Sequence, residues 1–176
     1  GGATTYQQSI FVANRAPEVE PITGEDLYAL HQPLALSTSF SDAGSGDGHW
    51  VSWDFGDGNA TEREYTPRGI LRAPLHTYSE PGTYEVTLSV FDGTDQVDRS
   101  FSVTVFDHIQ TTDGTLLVGG TAGNDTFEFH ISSTGAVTAT RNGTNLGTYT
   151  GVRAVRFFGG EGSDEVTIRG NGVSTY

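Results

Sequence analysis

Apolar and polar side chains alternate along most of this chain. Leu34, Leu36, Thr38 and Phe40 share one parity, as do Val51, Trp53 and Phe55, then Tyr84, Val86, Leu88 and Val90, then Phe101, Val103 and Val105. A period of two over such short runs describes strands with one face buried and the other wet. Between the runs stand GSGDG, FGDG, EPG and DGT. There Gly supplies positive φ, Pro presets φ, and Asp bonds to nearby backbone. Strands and turns at this spacing predict an all-β sandwich.

The texture changes after Asp107. Gly and Thr become frequent, and strands are predicted over Thr126 to Ile131, Ala136 to Thr140 and Val152 to Phe158. Asn142-Gly143 lies between two alternating runs and signals a hairpin. A boundary therefore falls near His108 to Thr112, giving a sandwich over 15–107 and a second β-rich segment over 108–176. Ser9 to Asn14 aligns with Ser102 to Asp107, with Ile10 matching Val103 and Val12 matching Val105. Residues 1–14 accordingly read as a linker or the last strand of a preceding copy, or as a first strand of this sandwich.

Composition narrows the function classes. The 176 residues include 24 Gly and no Cys or Met, and every one of the 9 basic residues is Arg. The absence of Met is what a segment of a longer polypeptide would show. A net charge of −13 opposes binding to phosphate backbones, so nucleic acid is not an expected partner, whereas divalent cations are attracted. Lack of Cys excludes a disulfide framework and thiolate metal sites. No apolar run reaches the length of a membrane span, and no signal peptide is visible.

Four motifs occur in order: Trp53-Asp54-Phe55-Gly56-Asp57-Gly58, His76-Thr-Tyr78, Pro81-Gly82-Thr-Tyr84, and Glu85-Val-Thr-Leu-Ser-Val90. Together they resemble the PKD domain, named for polycystic kidney disease. The resemblance implies an immunoglobulin-like sandwich serving as a noncatalytic extracellular module of secreted or surface proteins in bacteria. In sandwiches of this architecture a Trp is buried between the sheets and a Tyr fixes a corner through its hydroxyl; Trp53 and Tyr84 stand at those places. Asp54 and Asp57 then read as turn formers rather than a paired acid and base, because adjacent turn residues do not converge on a cleft.

Metal chemistry is the remaining candidate. In Phe40-Ser-Asp42-Ala-Gly-Ser-Gly-Asp47-Gly-His49, aspartates spaced through a glycine-bearing loop suit the many oxygen ligands of a hard cation. Resemblance to calcium-binding PKD domains nominates Asn14, Asp42, Asp47 and Asp92, although residues 43–46 lengthen the loop beyond the compact Asp-Pro-Asp-Gly form. The structural alternative is an acidic loop closed by Asx turns. Farther on, Gly159-Gly-Glu-Gly-Ser-Asp164-Glu-Val-Thr matches the GGxGxDxUx nonapeptide of RTX repeats, and Gly120-Thr-Ala-Gly-Asn-Asp125-Thr-Phe-Glu nearly does. That resemblance implies calcium held by Asp125 and Asp164. Their separation is no multiple of nine, which argues against a continuous roll and leaves neighbouring coils of an irregular solenoid or ordinary turns. A solenoid-like array ending at Tyr176 would expose an end able to pair with another chain.

The histidines 31, 49, 76, 108 and 130 form no HExxH pattern, and no GxSxG elbow is present. His76 belongs to the PKD-like signature and is expected to hydrogen-bond within the sandwich. Trp50, Tyr65 and Tyr149 are candidates for an aromatic platform, with Trp50 as a ligand-binding residue. The expected function is a noncatalytic, calcium-stabilised structural or adhesion module outside the cell, working with neighbouring domains of its own chain. The alternative is a carbohydrate- or protein-binding accessory module of a secreted hydrolase.

Overall fold

The computed structural model describes residues 13–44 and 46–170. The strands of the first part are β1 (Glu18–Val19), β2 (Leu27–Ala29), β3 (Ser37–Ser41), β4 (Trp50–Asp54), β5 (Glu64–Tyr65), β6 (Gly69–Arg72), β7 (Gly82–Phe91) and β8 (Gln96–Phe106). They form two sheets, ordered β1-β3-β6 and β2-β8-β7-β4-β5. β2 lies parallel to β8, and the other pairs are antiparallel. Alternation dictates this layering. Phe40 and Leu71 from one sheet meet Val51, Trp53, Val86, Leu88, Val90 and Val103 from the other in one core. Each such large side chain withdrawn from water contributes about 1.5–3 kcal/mol.

The second part comprises β9 (His108–Gln110), β10 (Thr115–Thr121), β11 (Thr126–Ile131), β12 (Val137–Arg141), β13 (Thr144–Tyr149), β14 (Ala154–Gly160) and β15 (Glu165–Gly170). Its sheets are ordered β14-β10-β9 and β13-β12-β11-β15. β14 pairs parallel with β10 from Thr115↔Ala154 onward, and β15 pairs parallel with β11 from Thr126↔Glu165. Both registers carry the same offset, so β10–turn–β11 and β14–turn–β15 are stacked strand–turn–strand units. The β12–β13 hairpin turns at Asn142 and Gly143, with φ of 51° and 75°, the pair of positive values a two-residue hairpin loop demands. Leu116, Val118, Phe127, Phe129, Val137 and Ala139 fill a second core.

The predicted strands at 126–131, 136–140 and 152–158 are present, the last shifted to Ala154–Gly160. β10 was not visible as an alternating run because Leu116 to Gly120 are buried without interruption. Leu116 and Val118 face the second core, while Leu30 of the sandwich packs on Gly119 so closely that a β-carbon there would lie 2.5 Å from the Leu30 Cβ. At the same joint the Leu30 N–H donates to Phe106 O and the Gly119 N–H to Asp107 O, each at 2.9 Å. Arg141 Nη1 donates to Asp107 Oδ1 at 2.7 Å and to Gly119 O at 2.5 Å. The residues 9–12 compared with the end of β8 lie outside the described residues. Among the described residues no helix is long and apolar enough to cross a membrane.

Candidate functional site

The acidic residues nominated near the start of the sandwich come together as two separate hydrogen-bonded groups. Asp92 begins the turn between β7 and β8 and is buried; its Oδ1 accepts the N–H groups of Thr94 and Asp95 at 2.8 and 2.7 Å. Asn14 Nδ2 donates to Asp92 Oδ2 and Asp95 Oδ2, both at 2.9 Å. Asp42 turns instead toward His49: Nε2 lies 2.9 Å from Oδ2, with both side chains essentially sealed from solvent. Its other oxygen accepts the Gly44 N–H at 2.8 Å, an Asx turn. The Asp47 carboxylate lies against Gly44, beside rather than within either group.

Electrostatics follows from these bonds. Burial works to raise the Asp42 carboxyl, but hydrogen bonds from His49 and the Gly44 N–H hold it below the usual carboxylate range. Asp92 is likewise held low against burial by the Asp95 N–H, Asn14 and the Thr94 N–H, with His49 contributing through its charge. Among the described residues no three His, Cys, Asp or Glu side chains form a group able to hold a metal ion. Asp95 and His49 complete these arrangements and were not among the nominated ligands. Their signals are weak in sequence: an Asp three places after another across a Gly, and a His on the inward parity of β4.

The Trp53–Gly58 motif is structural. Trp53 and Phe55 are buried, and the Asp54 and Asp57 side chains accept the N–H groups of Gly56 and Asn59 at 2.8 and 3.0 Å. His76 stacks on Phe55 with ring centroids 3.9 Å apart, and its Nε2 lies 2.9 Å from Asp57 Oδ2. The hydroxyl of buried Tyr78 donates to Phe55 O, and that of Tyr84 to Glu80 O, each at 2.8 Å. Pro81 and Gly82 lead the chain from Glu80 into β7. Burial first, and the Asp57 charge after it, push the Tyr78 phenol far up, so it stays a donor.

In the second part Asp125 and Asp164 meet. Asp164 Oδ1 accepts the Asp125 N–H at 2.9 Å, and Asn124 Oδ1 accepts the Ser163 N–H at 2.8 Å, so the two turns bond across a separation of 39 residues. Gly120 is required here, since a β-carbon would lie 2.1 Å from the backbone carbonyl oxygen of Gly159 on the stacked strand. The Asp125 carboxylate is buried and accepts from Thr121 N at 2.6 Å, Thr121 Oγ1 at 3.1 Å and Asn142 Nδ2 at 2.6 Å. Burial opposes its ionisation, yet those donors and the Arg141 charge hold its pKa low. Asn142, at the hairpin turn, also closes this cap.

Two surface features remain. On the outer face of the five-stranded sheet, Trp50 lies between Tyr65 and Phe91, with centroid distances of 5.9 and 6.2 Å, and the Arg63 guanidinium stands 4.9 Å over Phe91. Tyr149 is not part of this strip: it is half-buried against the second core, with its hydroxyl donating to Leu146 O. At the joint a groove of about 320 Å³ is lined by Glu25, Asp26, Gln32, Asp113 and Arg156 among others. Thr111, Thr112 and Thr115 also line it; Glu25 accepts from Gln32, and Asp113 accepts from Thr111 and Thr115.

Comparison with known proteins adds the following. A family profile described as PKD domain matches residues 14–106. Among solved structures, the PKD domain of an M14-like peptidase from Thermoplasmatales archaeon SCGC AB-540-F20 is 22% identical, with 53% of this chain and 98% of that one covered and a TM-score of 0.43. The fibronectin(III)-like modules of Clostridium thermocellum CbhA are 10% identical, with 76% and 73% covered and a TM-score of 0.35. No curated protein matches the chain.

Proposed function

Because the chain belongs to the PKD domain family over residues 14–106, we propose that it is a noncatalytic spacer or adhesion module of a large bacterial secreted or surface protein. The observation that carries this reading is the joint. Asp107 accepts from both Gly119 N and Arg141, while Leu30 is seated on Gly119, so the sandwich and the second part are held by several bonds rather than by a free linker. A module that transmits force or sets distance needs such a joint; one that only tethers a catalytic domain does not.

The stacked units of residues 115–131 and 154–170 act in this reading as RTX-like coils. Calcium adds to stability at the corner formed by Asn14, Asp92 and Asp95. Half a turn of the Asn14 amide replaces its donor by an oxygen, and the three side chains then present oxygens to the same space, as a hard cation requires. At Asp125 the carboxylate is already satisfied by N–H and O–H donors, so calcium has less to gain there. Bound calcium at a hundred times its Kd stabilises by about 2.7 kcal/mol. Thermal melting during calcium titration is the test: the wild-type midpoint should rise, and Asp95→Asn should flatten the rise. No rise in the wild type removes calcium from the account.

A second reading is favoured by the strip Tyr65–Trp50–Phe91, in which Trp50 and Tyr65 are 36% and 67% exposed. Aromatic faces with a nearby guanidinium suit a polysaccharide or a protein ligand of an accessory module. Retention on insoluble polysaccharide that Trp50→Ala abolishes would favour it over the spacer.

A further inference from the structure

Among the described residues, the core is closed over the first stacked unit and partly open over the second. Val118 and Phe129 in the first unit are 0% and 2% exposed, whereas their in-register neighbours Phe157 and Ile168 in the second are 43% and 47% exposed. Parity turns all four toward the space between the sheets, and the Phe157 ring packs 5.4 Å from that of Phe127. Among the described residues nothing covers Phe157 and Ile168, and they are wet. Alongside them, the outer edges of β14 and β15 have no strand partner among the described residues. Such edges carry unpaired N–H and C=O groups ready to pair with another strand.

The β15 edge says which strand fits. It reads Glu165-Val-Thr-Ile-Arg169, which is complementary to its own reverse. Antiparallel pairing centred on Thr167 sets Glu165 opposite Arg169 and Val166 opposite Ile168, and symmetry repeats both pairs. We infer that this edge is the interface of a homodimer, in which a second copy docks across a two-fold axis at Thr167. The sheet β13-β12-β11-β15 then continues into that of the partner, and Phe157 and Ile168 of each copy are covered. Apolar closure supplies the affinity, and the charge pairs on the outer face fix the register.

Sedimentation equilibrium of the 176-residue chain across a concentration series tests the inference, with charge exchange as its control. The wild type should dimerise. Arg169→Glu and Glu165→Arg each set like charges opposite one another at two symmetric positions and should weaken the dimer about tenfold. Combining the two substitutions exchanges the charges and should restore it. A chain that stays monomeric, a dimer indifferent to the single changes, or a double variant no tighter than the single ones would overturn the inference.

Discussion

Asp42, Asp92 and Asp125 show how this acidic chain makes carboxylates structural. Each accepts at least two hydrogen bonds, and each ionises more readily in the folded protein than in the unfolded chain. A depressed folded pKa means that the stabilisation is complete above the unfolded carboxyl pKa of about 4 and is lost as pH falls through the folded value. Stability should therefore be flat from neutrality down to about pH 5 and fall steeply below it. Asp125→Asn keeps the shape of the turn but removes one titrating group, so urea midpoints measured from pH 7 to pH 2 should lose part of that slope. An unchanged slope would show that the Thr121 and Asn142 bonds do not stabilise the ionised form. At His49 the lesson is different: a side chain of inward parity, surrounded by Phe40 and Asp42, is buried because its nitrogen has a carboxylate partner.

At the scale of elements, the sequence was readable wherever one face of a strand meets water. β3, β4, β7, β8 and β11 follow from alternation, and the Trp53–Gly58 turn follows from its Asp and Gly positions. β10 does not, because both of its faces are covered, one by the second core and one by Leu30. A strand buried twice reads as a continuous apolar run. The short β1, β2 and β5 are set by partners distant in sequence, such as Thr104 to Phe106 opposite Leu27 to Ala29, and no local pattern announces them. The interval between Asp125 and Asp164 is instructive too. It failed as a multiple of nine, yet the same interval is the register of β10 with β14 and of β11 with β15. The β12–β13 hairpin within the interval conceals the stacking from any test for a uniform period. Among the nominated ligands, Asn14 and Asp92 do meet, while Asp42 is taken by His49, a pairing that depends on how β4 approaches the loop.

For the molecule as a whole, the central claim is that the sandwich and the stacked units behave as one body through the joint at Asp107, Gly119 and Arg141. Arg141 bonds to Asp107 and to the Gly119 carbonyl at once, and it lies close enough to Asp125 to influence its ionisation. One side chain thus links the end of β8, the middle of the second part and the cap of the upper turn. Losing a half-buried, charge-assisted contact of this kind costs about 1.5–3 kcal/mol. Differential scanning calorimetry of the full chain and of Arg141→Ala tests the claim most directly. The wild type should unfold in one transition whose calorimetric and van't Hoff enthalpies agree, and the variant should split into two. Two separated transitions in the wild type would contradict the account.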